Sequence, residues 1–456
     1  MNAMRVKSTI LLLVCFFSLK SFSQQENSPY SRYGFGDQAP LTNIVNRGMG
    51  GVVAAYRDTF GLTINFNNPA SYSGFISGRE AKSKKQTAGR VLFDVGINYD
   101  GHDLRKPNST EKYSSGNIYI SHVQIGMPLN RNWGLSFGLR QLSRIDYKIN
   151  RLEKLYDANT GLPIDSALTE FSGDGGSYLA SVGTGVAIKN LSLGVNFGYL
   201  FGKKQYTTKR AFINDTIDYQ TSNHTTQTGF GSIFLNGGIQ YKIDLQKNTV
   251  LRLGAYGNLK QNLNASQDVI RETFTRTSGG DVRLDSVYEQ KNIKGKIVYP
   301  ASFGFGFILE KNADLKNKIF RTWMLGADFN MGQWDQYRFY GDKDSLTNSW
   351  EAKIGGQYRP EPKAGYFSNV AYRVGVSFGK DYIHVGKDLP TVGLSFGLGL
   401  PLPNYNRLAL DQSSIINLSF EYSRRGNNDN VLRDNIFRVS VGFSLSDVWF
   451  RKRKYE

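Results

Sequence analysis

Several stretches of the chain place apolar and small or polar residues at alternate positions. From Leu191 to Tyr199 the odd positions are Leu, Leu, Val, Phe and Tyr, while Ser192, Gly194, Asn196 and Gly198 fill the even ones. Tyr372, Val374, Val376 and Phe378 alternate with Arg373, Gly375 and Ser377. Leu394, Phe396, Leu398 and Leu400 alternate with Ser395, Gly397 and Gly399, and Phe437, Val439, Val441, Phe443 and Leu445 with Arg438, Ser440, Gly442 and Ser444. Period two sets each group on one face of a β-strand. A soluble sandwich also alternates, but here the apolar face is repeatedly aromatic and the other is Gly, Ser and charge.

Strands are predicted at 91–99, 116–127, 132–146, 177–189, 190–202, 229–243, 249–262, 297–310, 320–334, 348–358, 368–380, 390–401, 412–424 and 434–445. These fourteen segments approach the ten or so residues that a tilted transmembrane strand needs. Their connections alternate in length. Residues 127–132, 189–190 and 244–248 are short, while 148–176, 203–228 and 264–296 are long, polar and read as loops. An even count with short turns on one side and long connections on the other describes an all-β, 14-stranded antiparallel transmembrane β-barrel of the outer-membrane type. Trp133, Trp334 and Trp449-Phe450 stand at strand ends, where an interfacial girdle is expected.

The N-terminus adds a compartment. Arg5 and Lys7 precede an apolar run from Ile10 to Leu19, followed by Ser21-Phe22-Ser23, the layout of a cleaved secretory signal over residues 1–23. The single Cys15 lies inside that run, so the mature chain is expected to lack disulfides and thiol chemistry. After Ser23 no run approaches a membrane-spanning helix of roughly 20 apolar residues. Composition agrees: 29 Phe and 26 Tyr are too many aromatics for a disordered chain, although mean hydropathy is negative. A barrel reconciles the two, because lipid-facing and lumen-facing residues cancel in any window.

Net charge is +18, or +15 without Arg5, Lys7 and Lys20. On a barrel that excess implies outer-membrane lipids and lipopolysaccharide phosphates as partners rather than nucleic acid. The basic tail at 446–456 is expected at the periplasmic face as a solvated anchor. Catalytic constellations are missing: His102, His122, His224 and His384 lack metal-ligand spacing, and there is no Gly-x-Ser-x-Gly elbow. No enzyme activity and no cofactor are expected. Gly48-x-Gly50 does not sit in a βαβ pattern, so it is not read as a dinucleotide site. Asp165-Ser166-Ala167, Asp215-Thr216-Ile217, Asp285-Ser286-Val287 and Asp344-Ser345-Leu346 share an Asp-Ser/Thr-apolar pattern in segments read as outer loops. Ser166, Thr216, Ser286 and Ser345 resemble O-glycosylation acceptors of bacteria that modify exported proteins; Asp-Ser and Asp-Thr are equally good turn formers.

Residues 24–90 hold no clear membrane-length strand and are dense in Gly and Asn. Their centre reads Asn46-Arg47-Gly48-Met49-Gly50-Gly51, continues to Asp58, and is followed by Asn67-Asn68-Pro69-Ala70-Ser71-Tyr72. The glycines permit positive φ and close backbone approach, and Pro69 holds Asn68 out of helix. This Gly-rich stretch, acidic spacer and Asn-Pro-Ala motif resemble the N-terminal hatch of the long-chain fatty-acid channel (FadL-like) family. Residues 420–426 before the last strand resemble the end of such barrels. The chain departs from that family in the Ser71-Tyr72 continuation and in its basic tail. The resemblance implies a fourteen-stranded barrel over 91–445, a lumenal hatch over 24–90, and Asn46, Gly48, Gly50, Gly51, Asp58, Asn68, Pro69 and Ala70 in structural or gating roles. It further implies passive transport of hydrophobic small molecules and a kinked third strand that opens the wall sideways. In that strand Trp133, Leu135, Phe137 and Leu139 share a face, but Gln141 and Ser143 follow on it, a slip that one bulged residue would produce. Alternatively the strand has already left the membrane there. A second function is open on the same residues: a non-conducting accessory barrel of an outer-membrane secretion or protein-assembly machine, partnered by other outer-membrane proteins.

Overall fold

A computed structural model describes residues 28–58, 62–79, 86–107, 109–156, 158–213, 220–246, 248–277, 280–314, 317–318, 320–363, 365–402 and 412–448. The expected signal peptide with Cys15, Thr216, Trp449-Phe450 and most of the basic tail lie outside the described residues.

Two short strands, β1 (Asp37–Gln38) and β2 (Ser77–Arg79), precede the wall. The wall follows as β3 (Gln86–Arg105), β4 (Lys112–Asn130), β5 (Trp133–Tyr156), β6 (Pro163–Ile188), β7 (Leu191–Phe212), β8 (Thr221–Gln246), β9 (Thr249–Asn258), β10 (Gln261–Thr277), β11 (Gly280–Tyr299), β12 (Ser302–Lys311) and β13 (Thr322–Gly332). After the short β14 (Arg338–Phe339) come β15 (Ser349–Arg359), β16 (Ala371–Val385), β17 (Lys387–Leu402), β18 (Ser413–Arg425) and β19 (Arg433–Val448). β9 with β10 forms one wall strand and β11 with β12 another, because both pairs keep one register across Asn258↔Ser302 and Gln261↔Tyr299. The break falls at Leu259-Lys260 opposite Pro300, whose nitrogen has no hydrogen to give the ladder. That leaves fourteen antiparallel wall strands in sequence order, closed by β19 on β3 from Val448↔Arg90 to Arg433↔Arg105. Closure pairs the first wall strand with the last, as a lipid-embedded sheet requires.

The predicted alternation is the inside–outside alternation of the wall. Phe197, Tyr199, Val374, Phe378, Leu394 and Phe396 are exposed outward, while Asn196, Arg373 and Ser395 are buried. Two expectations need correction. Much of the described part of the segments read as long loops is strand: β5, β6 and β8 run 24, 26 and 26 residues, far past the membrane. Beyond the bilayer no lipid demands an apolar face, so these extensions lose the alternation that marks the others. Trp334 is also not an interfacial residue; it is buried, its ring centred 4.3 Å from that of Tyr382.

The third wall strand is irregular. β4 and β5 pair from Asn130↔Trp133 only as far as His122↔Arg140. There both strands bulge, β4 at Ser121 and β5 at Leu142, which shifts their registers against β3 and β6. Past that height they part. Leu142, Gln141 and Ser143 are all buried, so the polar pair is turned away from lipid.

Candidate functional site in the barrel lumen

Residues 28–75 fold without long elements: a 3₁₀ turn Pro29–Arg32, a helix Ile44–Gly48 and a second 3₁₀ turn Pro69–Gly74. Such a chain cannot satisfy its backbone through a ladder, and asparagine side chains do it instead. Asn43 caps the helix by accepting from Asn46 N–H at 2.8 Å and donates to Ile64 C=O at 2.9 Å. Asn46 donates to Val52 C=O at 2.6 Å, and Asn65 to Val53 and Tyr56 C=O at 2.8 and 2.9 Å. Asn68 caps the second 3₁₀ turn through Ala70 N–H at 3.1 Å and donates to Ala54 C=O at 2.6 Å. Asp58 accepts from Leu62 and Thr63 N–H at 2.7 and 2.9 Å.

The wall holds this segment from all sides. Asn68 also donates to the carbonyls of Ile239 and Ala255, both at 3.2 Å. Asn196 and Asn236 reach in to Phe66 and Asn67 C=O at 3.1 and 3.2 Å. Asp328 on β13 accepts from Val53 and Ala54 N–H at 2.6 and 2.7 Å, and Ser395 from Gly50 N–H at 2.8 Å. Arg47, buried, joins Thr42 and Pro40 C=O at 3.1 and 3.0 Å to Asn98 and to Ser440 at 3.2 Å. Close approach replaces side chains elsewhere: a Cβ on Gly254 would lie 2.0 Å from Ala54 O, and one on Gly375 2.1 Å from Gly50 N. Gly50 and Gly51 themselves need positive φ, +69° and +84°. Gly48 packs on Gly397, and Pro69 and Ala70 on Gly194.

A second anchor sits toward the outer end, defined by the long connections. Phe35, Phe230, Phe234, Leu263, Trp334 and Tyr337 belong to one buried apolar cluster joining the N-terminal turn to the wall. Lys204 enters it from β7. Its ammonium donates to Gly34 C=O and Tyr337 OH and lies 5.0, 5.2 and 5.1 Å from the ring centres of Phe35, Tyr337 and Phe339. Between the two anchors is a cavity of about 420 Å³, lined in part by Arg47, Asp100, Glu421, Arg425, Arg438 and Lys353. Ion pairs stand along its walls beside aromatic lining from Tyr256, Tyr299, Trp334, Trp350 and Tyr382: Arg438 bridges Asp100 at 2.6 Å and Glu421 at 3.3 Å, and Arg425 bridges Asp37 and Asp381, both at 2.7 Å. His102 meets Asp434 at 2.9 Å. Among the described residues no three His, Asp or Glu side chains converge as metal ligands.

The eight residues that the sequence singles out in 46–70 all lie in this N-terminal segment, whereas Leu139, Gln141 and Ser143 stand where β5 leaves β4. Ser166 and Ser286 lie on strands β6 and β11 rather than in loops. In Ser166, Ser286 and Ser345 alike, the preceding Asp carboxylate accepts the residue's own N–H at 2.6 to 2.7 Å. Sequence reading missed Arg47, Lys204 and Asp328 as anchors. For Asp328 the usable signal was charge at a strand position whose neighbours two residues away, Gly326 and Asn330, are small or polar, as Arg373 between Ala371 and Gly375 also shows; Arg47, between Val45 and Met49, carried no such signal.

The profile of the BamG family matches residues 5–456. No curated protein matches the sequence. Solved structures similar to the chain include the CymD monoaromatic hydrocarbon channel, at 12% identity, 90% of this chain, 98% of that chain and TM-score 0.48. The Pseudomonas putida toluene transporter TodX matches at 15% identity, 90% and 99% coverage and TM-score 0.47. A Pseudomonas aeruginosa FadL homologue matches at 13% identity, 91% and 100% coverage and TM-score 0.48. With its profile match spanning nearly the whole length, the chain belongs to the BamG family.

Proposed function

We propose that this protein is a non-conducting accessory barrel, a subunit of an outer-membrane secretion or protein-assembly machine. One observation carries the reading: the N-terminal segment is bonded through polar groups to strands around the ring, and ion pairs stand in the space left. A solute crossing it must pass the ion pairs of Arg438 with Asp100 and of Arg425 with Asp37, and parting such pairs is unfavourable. A rigid plugged barrel instead offers stable surfaces to neighbours. In this reading 24–90 is a fixed hatch, 91–445 the barrel and 446–456 a periplasmic tail beside lipid headgroups. Lipopolysaccharide phosphates meet lysines and arginines of the outer connections, and Ser286 and Ser345, exposed, carry glycans. The test is purification from outer membranes in mild detergent with quantitative identification of what accompanies the protein, paired with conductance and liposome-swelling measurements. Stoichiometric outer-membrane proteins and no solute flux are expected; a lone barrel that admits hydrophobic solutes overturns the proposal.

The parting of β4 and β5 favours a second reading, passive uptake of hydrophobic small molecules with the hatch as gate and a sideways exit near Leu139–Ser143. A cysteine crosslink across β4 and β5 at that height then abolishes uptake; full uptake with the crosslink formed rules this exit out.

A further inference from the structure

The two sides of the parted seam are not equivalent. The edge of β5 is already occupied: β1 pairs on it through Gln38↔Ser143 and Asp37↔Arg144, and Ala39 N–H donates to Leu142 C=O at 3.0 Å. Ser31 Oγ adds bonds to the backbone of Asp146, at 3.3 Å to its oxygen and 3.2 Å from its nitrogen. The facing edge of β4, residues 112–121, pairs with β3 on one side and, among the described residues, with no strand on the other. β1 thus stands in the seam beside β5, and an occupant of the β4 edge lies between β4 and β1.

That edge also has two unlike faces. Ile118 and Ile120 are 57% and 59% exposed on the lipid side, and Tyr113 is 65% exposed. Asn117 and Tyr119 turn the other way and line the lumenal cavity, as do Gln38 and Gln141 across the seam. Unpaired backbone groups at the margin of the bilayer favour a strand partner. The faces then select its pattern: apolar residues outward beside Ile118 and Ile120, polar residues inward toward the ionic cavity.

We propose that the β4 edge at 112–121 is a strand-acceptor site whose occupant is an extended transmembrane-type β-segment of another outer-membrane protein. The occupant adds antiparallel to β4 by main-chain hydrogen bonds. The inference rests on the accessory-subunit reading and narrows its partner class.

The experiment uses the full-length protein in detergent, with a photo-activatable phenylalanine analogue replacing Ile118. The probe is a peptide with the sequence of the chain's own β19, Arg433–Val448, which alternates on this pattern. A scrambled peptide of equal composition and a long-chain fatty acid serve as comparisons. Saturable labelling of the alternating peptide, at least tenfold above the scramble, is expected. A second variant, Asn117→Cys with Gln141→Cys closed by a short bismaleimide, should abolish labelling while leaving the protein folded by heat-modifiability on gels. Equal labelling of the scramble, displacement by the fatty acid alone, or crosslinks only between two copies of the barrel each overturn the proposal. Co-purification of outer-membrane partners is scored separately. If it persists while peptide labelling fails, the strand site falls and the accessory role stands; if no partners co-purify, the accessory role falls.

Discussion

Asn68→Ala should release the hatch without unfolding the barrel. The side chain is fully buried and makes four bonds: to the carbonyls of Ala54, Ile239 and Ala255, and from Ala70 N–H. Ala54 C=O keeps Gln240 as a donor at 3.1 Å, so its loss is partial, whereas Ala70 N–H is left buried without its cap. At about 1 kcal/mol for each of the two short bonds and a similar sum for the two long ones together, the loss is about 3 kcal/mol. A tenfold change corresponds to 1.4 kcal/mol, so local opening of the hatch rises roughly 100-fold. None of the wall ladder beyond Ile239↔Ala255 is touched. Hydrogen exchange by mass spectrometry should show faster exchange at residues 53–56 and 70–73, with peptides of β16 to β19 unchanged. Protection within about threefold of the parent protein would refute the idea that asparagine side chains hold this segment, since that is under 1 kcal/mol. Equal acceleration in wall peptides would refute the independence of hatch and wall.

Gly254→Ala should expel the residues around Ala54, because the new methyl would stand 2.0 Å from its carbonyl oxygen; protease cleavage within 50–75 should rise while the barrel still migrates as folded on gels. Lys204→Met removes the ammonium from its three rings and from Gly34 C=O, and should raise exchange at residues 30–36 by the equivalent of about 1–2 kcal/mol. Arg438→Gln leaves the buried Asp100 and the half-buried Glu421 without their cation and should cost about 3 kcal/mol, read as a lower thermal midpoint, with Asp100→Asn in the same background recovering part of it. At the exposed β16–β17 hairpin, the hydrogen bond from His384, with help from Lys380, holds the Asp388 carboxyl below its ordinary value. A depressed carboxyl stabilises above its unfolded value and loses that contribution as pH falls through the folded one, so the hairpin should loosen only in acid, and Asp388→Asn should flatten that response in amide exchange.

The barrel was legible because lipid imposes a rule on every second residue, and Leu193, Phe197, Val376 and Phe396 obey it. The rule stops where lipid stops. Gly280 to Asn292 of β11 is exposed on both faces, so nothing in its hydropathy separates a strand from a loop. The N-terminal segment was legible as unusual chemistry, a concentration of Gly and Asn with a Pro-fixed turn, and Asn43, Asn46, Asn65 and Asn68 bond its carbonyls. Its partners were not legible. Arg47 meets Ser440 across 393 positions, and Asp328 meets Val53 across 275, separations that no local pattern encodes. Trp334 was misplaced for a related reason: a Trp ending a strand suits an interface or a buried cluster equally, and only the tertiary packing decides.

The bonds from Arg47 to Ser440 and from Gly50 to Ser395 tie the beginning of the chain to its end. The seat for residues 46–50 includes β17 and β19, so during synthesis the segment exists long before its seat does. Contacts so distant in sequence carry a large loop-closure cost and form late. The segment must therefore either wait, unfolded, outside a growing sheet, or serve as the template on which that sheet curls shut. The second course would make the hatch an assembly mandrel, and a chain lacking residues 28–75 would then close slowly, or into the wrong number of strands, even though every wall residue is present.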